Sequence, residues 1–534
     1  MSGNIEEQKE EIKSKNLSEI FTGAFKELGE TFVAFVKAPR ALWGVNVPYV
    51  IEGLVYFGIL TVLGKFCSEN VKLSDLQAGW VYSFVTGGIT LAMVVLGGYS
   101  DKIGVRLSLI LAFLSMVAGR ILVALSNTIP FATGFLSPMF FVLILGLFMI
   151  VIGYGLYQPA AYAGVKRYTT PQTASIAYGA IYGLMNLGAF FSGFISPLVR
   201  HDMDRTFPPN GLAAVFWVYV FLTVVSLILT IVLITKSADK KAYEASLKAA
   251  NKDIDAEANR PKPERKHINN FPLVIYMVLT LALFVMFILS LESSKAIEVT
   301  ETIKFLFLIL GIVGFIFSVY EFLRHRPEHP FRDKRFVFFI FILIPVQTLF
   351  AHNWLTIPYY LDRAFAGTTV SSYFELFSNI NPVLIFILAP LVAGLTAKAD
   401  VYRMMIYGTF VMAIPTFLLA IGPNVYLFLT YVLIAAIGEA MWQPRFLQWI
   451  AEIAPEGKTG AYMGIGQLPW FLTKLITGLY SGYFIATYVP QPELGLPERS
   501  QIMWLIYAFI AVISPIALLL AKNWMVKGFK IKSA

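Results

Sequence analysis

Apolar residues in this chain gather into long runs separated by short polar stretches. The runs are Ala41–Phe66, Ala78–Tyr99, Val105–Ala124, Pro138–Ala161, Ala174–Val199, Ala213–Thr235, Phe271–Leu291, Ile303–Phe322, Arg335–Leu361, Ser371–Thr396, Tyr402–Ile421, Val425–Ile450, Thr459–Tyr483 and Gln501–Lys522. A helix of ~20 apolar residues crosses the hydrocarbon core of a bilayer. The pattern therefore predicts an all-α membrane protein with about fourteen transmembrane helices. Ahead of them, residues 17–38 place Phe21, Phe25, Leu28, Phe32 and Phe35 at spacings of three or four. That spacing suits an amphipathic helix, lying on the membrane surface or packed beneath the bundle.

Composition sharpens the class. Of 534 residues, 57% are hydrophobic and only 14% charged, with a mean hydropathy of +0.68. Soluble domains carry roughly 25% charged residues, so soluble enzymes and nucleic-acid binders are poor candidates. The net charge of +9 sits in the links between runs, where it reports topology rather than a nucleic-acid footprint. Cys67 is the single cysteine, which leaves no intrachain disulfide and no thiolate metal cluster. The first sixteen residues lack an apolar segment, so no cleavable signal peptide is expected.

Basic links mark the cytoplasmic side by the positive-inside rule. Lys102 and Arg106, Lys166 and Arg167, the lysine- and arginine-rich stretch 236–270, Arg324 to Arg335, and Lys527, Lys530 and Lys532 all fall on that side if both termini are cytoplasmic. Six segments follow. Residues 1–40 form an N-terminal cytoplasmic segment, 41–235 a first six-helix bundle and 236–270 a linker. Residues 271–334 form an inserted pair of spans, 335–522 a second six-helix bundle and 523–534 a basic tail.

Between the second and third runs lies Gly97-Gly98-Tyr99-Ser100-Asp101-Lys102-Ile103-Gly104-Val105-Arg106. Its pattern G-x-x-x-D-K-x-G-x-R resembles the loop signature of the major facilitator superfamily, and Gly394–Arg403, with Lys398 and Asp400, echoes it in the second half. The resemblance implies two pseudo-symmetric six-helix bundles plus two inserted helices. It also implies a cytoplasmic latch formed by Gly97, Asp101, Lys102, Gly104 and Arg106.

Three further blocks resemble one branch, the proton-dependent oligopeptide transporters. They are Tyr182, Asn186 and Gly188 in the fifth run; Asn379-Ile380-Asn381-Pro382 with Ala389-Pro390 in the eighth; and Gly438-Glu439, Gln443-Pro444, Ala454-Pro455, Gly460, Met463-Gly464 and Trp470-Phe471-Leu472 in the tenth and eleventh. The likeness covers residues 41–522. Where that family carries E-x-x-E-R, this chain has Tyr49-Val50-Ile51-Glu52-Gly53, and the family's lysine on the fourth helix is Gln158 here. An acidic residue of the seventh helix is replaced by His352, while Glu439, which in the family holds the peptide amino terminus, is kept.

Glu52 falls ~16 Å into its run, near the bilayer midplane. An ionisable residue at that depth is a functional candidate by default, with helix-to-helix pairing as the bland alternative. Glu52 and His352 are the candidates for carrying a coupling proton, and Glu439 for holding a cationic group of the solute. Arg120 either snorkels to the surface or points inward to a carboxylate. Lys474 either replaces the missing cations at Gly53 and Gln158, locks the two bundles together or pairs with Glu439. Tyr49, Tyr56, Tyr154, Tyr157, Gln158, Asn186 and Trp442 are candidate cavity-lining residues, with Tyr182 beside them. The expected activity is secondary active transport of a small organic solute by alternating access. Proton-coupled symport of peptides or amino-acid-like solutes is the first form, and proton-independent transport or export of a non-peptide solute the second. A membrane-embedded enzyme is disfavoured, because no Ser/His/Asp grouping, H-x-x-x-H pair or phosphate-binding glycine loop occurs and His201, His267, His325 and His329 all lie in links. No cofactor, metal or nucleic-acid partner is expected. The expected setting is a monomer in a bacterial inner membrane.

Overall fold

The computed structural model describes residues 38–526 apart from 129–131, 170, 250–270, 291–298, 328, 397–398, 454–461, 463–464 and 467. The expected helix over 17–38 and the basic tail beyond residue 526 thus fall largely outside the described residues. Helix occupies all or part of every apolar run. Ten helices among the described residues are long and apolar enough to cross a membrane, and the chain is a multi-pass membrane protein.

The first half contains α1 (Arg40–Lys65), α2 (Asp75–Ile103), α3 (Val105–Thr128), α4 (Pro138–Tyr168), α5 (Pro171–Met203) and α6 (Leu212–Leu233). Helix starts follow local chemistry. Ser74 and Gln77 form a reciprocal capping box at α2, and Ser137 accepts from the Phe140 amide ahead of Pro138, satisfying amides that have no partner inside the helix. Gly104 links α2 to α3 with φ +83°, a left-handed conformation that glycine adopts without steric cost. A core of Phe113, Leu147, Val215, Tyr219 and neighbouring side chains fills this half.

The second half contains α10 (Lys334–Ile342) and α11 (Ile344–Arg363), which share one run, then the broken run α12 (Thr369–Ser372), α13 (Phe374–Ser378) and α14 (Ile380–Leu395). After these come α15 (Val401–Ala413), α16 (Thr416–Leu419), α17 (Val425–Ile453), α18 (Leu468–Tyr488) and α19 (Ser500–Val526). Phe339, Tyr360, Trp442, Trp504 and Tyr507 belong to its core. The two halves meet closely where α2 packs on α18. A Cβ on Gly79 would lie 2.5 Å from the Gly478 carbonyl, and Ser83 Oγ donates to the Leu475 carbonyl at 3.0 Å.

Two elements stand apart. Helices α8 (Phe271–Ser290) and α9 (Glu301–Arg324) pack on each other, Phe284 against Gly311 and Thr280 against Gly314. Their apolar faces are exposed, as on Val278, Leu281, Phe315 and Ile316, which suits a lipid-facing pair. The start of the linker is a helix, α7 (Lys236–Ala249), clasped to the end of α4. Asp239 accepts from Arg167 at 2.9 and 3.3 Å and from the Tyr168 hydroxyl at 2.7 Å, while Arg167 stacks 3.9 Å over the Tyr243 ring.

Candidate functional site

In the first half, Glu52 of α1 meets Arg120 of α3 in a bidentate pair. Arg120 Nη1 and Nη2 donate to the two carboxylate oxygens, each at 2.8 Å. Tyr154 of α4 accepts from Arg120 at 3.0 Å and donates to Glu52 at 2.9 Å, and Thr223 of α6 accepts from Arg120. Arg120 is fully buried and Glu52 2% exposed. Arg120 therefore points inward rather than snorkelling, and four helices share one charge-assisted network. Such a pair is tolerated inside a membrane because each charge is cancelled and hydrogen-bonded.

The aromatic candidates continue this network. Tyr49 donates to Gln158 at 3.1 Å and stacks on Tyr157 at 5.7 Å. Tyr154 lies edge-on to Tyr56 and Tyr157 at 5.1 and 6.0 Å. Asn186 is half-buried on α5. Gly53 faces the backbone of α5: a Cβ there would lie 2.7 Å from the Met185 carbonyl. Helix packing fills the space that a cation would need at this position.

In the second half, Glu439 of α17 is 1% exposed. It accepts a hydrogen bond from the Asn381 amide of α14 at 3.1 Å, and it forms no ion pair among the described residues. Trp442, one turn along α17, donates to the Met412 sulfur at 3.2 Å and stacks on Trp470 of α18 at 6.2 Å. Lys474 of α18 is half-buried and makes neither a hydrogen bond nor an ion pair among the described residues.

His352 is enclosed within the second half. Its ring is fully buried and stacked 4.0 Å from Tyr507 of α19. Nδ1 pairs with Thr356 at 2.6 Å and Nε2 with Tyr480 of α18 at 3.0 Å. With both nitrogens engaged, His352 ties α11 to α18 and α19, which is the packing role commonly served by intramembrane polar side chains.

The ends of the bundle differ. At the end carrying residues 65–75, three ion pairs among the described residues join the halves. Lys65 meets Asp362 at 2.6 Å; Arg363 holds Asp75 at 2.7 and 2.9 Å; Arg200 holds Glu375 at 2.7 and 3.3 Å. Ser68 and Tyr359 add a 2.6 Å hydrogen bond. Sequence reading did not single out this clamp, because charges at the ends of apolar runs are ordinary and their pairing depends on tertiary structure. At the opposite end, Lys102 and Gly104 are exposed. Arg106 donates to the Ile234 carbonyl at 2.7 Å, a contact within the first half. Gly97 and Asp101 lie on α2, but their side chains are outside the described set, as is Lys398.

A family model described as Major Facilitator Superfamily matches residues 48–371. No curated protein matches the chain. Among solved structures, a POT family transporter in complex with 5-aminolevulinic acid superposes with a TM-score of 0.61 at 17% identity, covering 92% of this chain and 97% of that one. Tetrameric PepTSo2 gives 0.59 at 19%, covering 91% and 98%. A variant of the peptide transporter POT in complex with alafosfalin gives 0.60 at 17%, covering 92% and 96%. At these identities the likeness is one of fold.

Proposed function

The chain belongs to the major facilitator superfamily, and on that premise we propose that it is a secondary active transporter driving a peptide- or amino-acid-like solute by proton symport. Solved structures of similar fold hold 5-aminolevulinic acid and alafosfalin. The proposed setting is a bacterial inner membrane with both termini cytoplasmic, which puts the three-pair clamp on the outer face. The six-helix halves then rock about a mid-membrane site, and the clamp closes the outer gate in this state.

The observation that carries the proposal is Glu439, a buried carboxylate whose one hydrogen bond among the described residues comes from a neutral amide. An isolated carboxylate inside a membrane is costly, and a cationic amine on the solute supplies the missing charge. Glu52 takes the coupling proton. Once ionised it closes on Arg120, a reading supported by the 2.8 Å pair between them. A proton on Glu52 cancels that attraction and frees the guanidinium. The closed Glu52–Arg120 pair also supports a second reading, proton-independent exchange, in which the pair stays a structural tie throughout the cycle.

Glu439→Gln tests the amine site. Reconstituted protein is expected to lose dialanine uptake by about tenfold to a hundredfold, as for a charge-assisted hydrogen bond. N-acetyl-dialanine, which lacks the amine, should be a poor substrate for both forms. Equal uptake of dialanine by wild type and Glu439→Gln would remove the amine site from the proposal.

A further inference from the structure

Glu52 and Arg120 cancel each other, and the clamp charges are matched in pairs. Arg445, further along α17, is tied to the Thr396 carbonyl at 2.7 Å. Glu439 and Lys474 are left, one negative and one positive, and neither has an ion-pair partner among the described residues.

Their placement is related. On α17, Glu439 precedes Trp442 by three residues; on α18, Lys474 follows Trp470 by four. These are same-face spacings on a helix. The two indoles stack on each other, which fixes the relative height of the helices at that level. The helices run in opposite directions. On α17, Tyr431 lies by Trp504, which packs on Tyr360, while Phe446 lies by Phe339. On α18, Trp470 lies by Phe350, and the chain just past the helix, at Val489, reaches Arg363. Glu439 and Lys474 therefore lie on the same side of the indole pair, each about one turn, or ~5–6 Å, from it, and Arg445 lies beyond it. Lys474 also precedes Gly478 by one turn, and Gly478 abuts Ser83 of α2. Lys474 thus stands where the second half meets the first.

We propose that Lys474 anchors the anionic end of the solute while Glu439 holds its cationic end, so that the transported species is a zwitterion spanning α17 and α18. The assignment presupposes that the chain transports amine-bearing solutes, as proposed above. Burial of either charge is then offset only when both ends of the solute are in place, which selects against amines lacking a carboxylate and acids lacking an amine.

The test compares binding of dialanine and dialanine amide to the reconstituted full chain, as wild type, Lys474→Ala, Lys474→Gln and Lys474→Arg. Wild type is expected to bind the amide about tenfold to a hundredfold more weakly. In Lys474→Ala, dialanine should fall to the level of the amide and the amide should be unchanged; Lys474→Arg should restore part of the difference. Lys474→Gln gives the same answer if alanine disturbs α18. An amidation penalty that persists in Lys474→Ala and Lys474→Gln overturns the anchor, while amine recognition at Glu439 stands. A wild type indifferent to both the amine and the carboxylate of dialanine overturns the anchor and the transporter proposal beneath it.

Discussion

Arg120→Ala is expected to destabilise the protein by about 3–5 kcal/mol, the range seen when one member of a buried ion pair is removed. The cause is specific. The substitution strands the Glu52 carboxylate, 2% exposed, with the Tyr154 hydroxyl as its remaining donor, and deprives Thr223 and Tyr154 of a shared partner. Thermal unfolding in detergent reads the loss. The double variant Glu52→Gln with Arg120→Leu removes both charges and should recover most of the stability, since a buried pair and an apolar replacement are often of similar worth. It should not recover proton-driven transport. If the double variant transports normally, the pair is a structural tie and Glu52 carries no proton.

Arg363→Ala is expected to open the clamped end. The guanidinium holds Asp75 in the other half through two oxygens and caps the Val489 carbonyl. Without it, Asp75 is left shielded and unpaired, so the closed state loses its advantage over one in which Asp75 reaches water. The chain carries its own reporter. Cys67, its only cysteine, is fully buried in the short π-helical turn Phe66–Asn70, beside Ser68 of the clamp. Labelling of Cys67 by a membrane-impermeant maleimide should accelerate at least about tenfold, the result of a shift of ~1.4 kcal/mol or more. An unchanged rate would mean that the clamp does not govern access to this end.

The fold was legible because a bilayer imposes one rule on every spanning segment, a long apolar helix with its backbone satisfied internally. The breaks inside runs were less so. Pro345 follows the start of α11 by one residue, and Asn379 separates α13 from α14, yet neither signal says how far a helix will be interrupted. The helix α7 is hidden in the sequence because its charge reads as solvated linker; the contacts of Asp239 with Arg167 and Tyr168 show why it docks.

The site divided along similar lines. Glu52 and Glu439 stood out because a carboxylate at mid-depth is costly. The partner of Glu52 could not be told from sequence, since Arg120 had equal reason to snorkel. The absence of an arginine at residue 53 was plain, whereas its physical reason, the backbone of α5 pressed against that position, belongs to packing. His352 stood out as a candidate titrating group, whereas its clasp between Thr356, Tyr480 and Tyr507 belongs to tertiary packing. The clamp joins residues 175 to 297 positions apart, which no local pattern encodes.

Uptake of dialanine into proteoliposomes under an imposed inward proton gradient tests proton-driven symport most directly. The wild-type protein is expected to accumulate dialanine above the external concentration and to lose that accumulation when a protonophore collapses the gradient. Equilibration that never exceeds the external concentration, or accumulation indifferent to the protonophore, would contradict it.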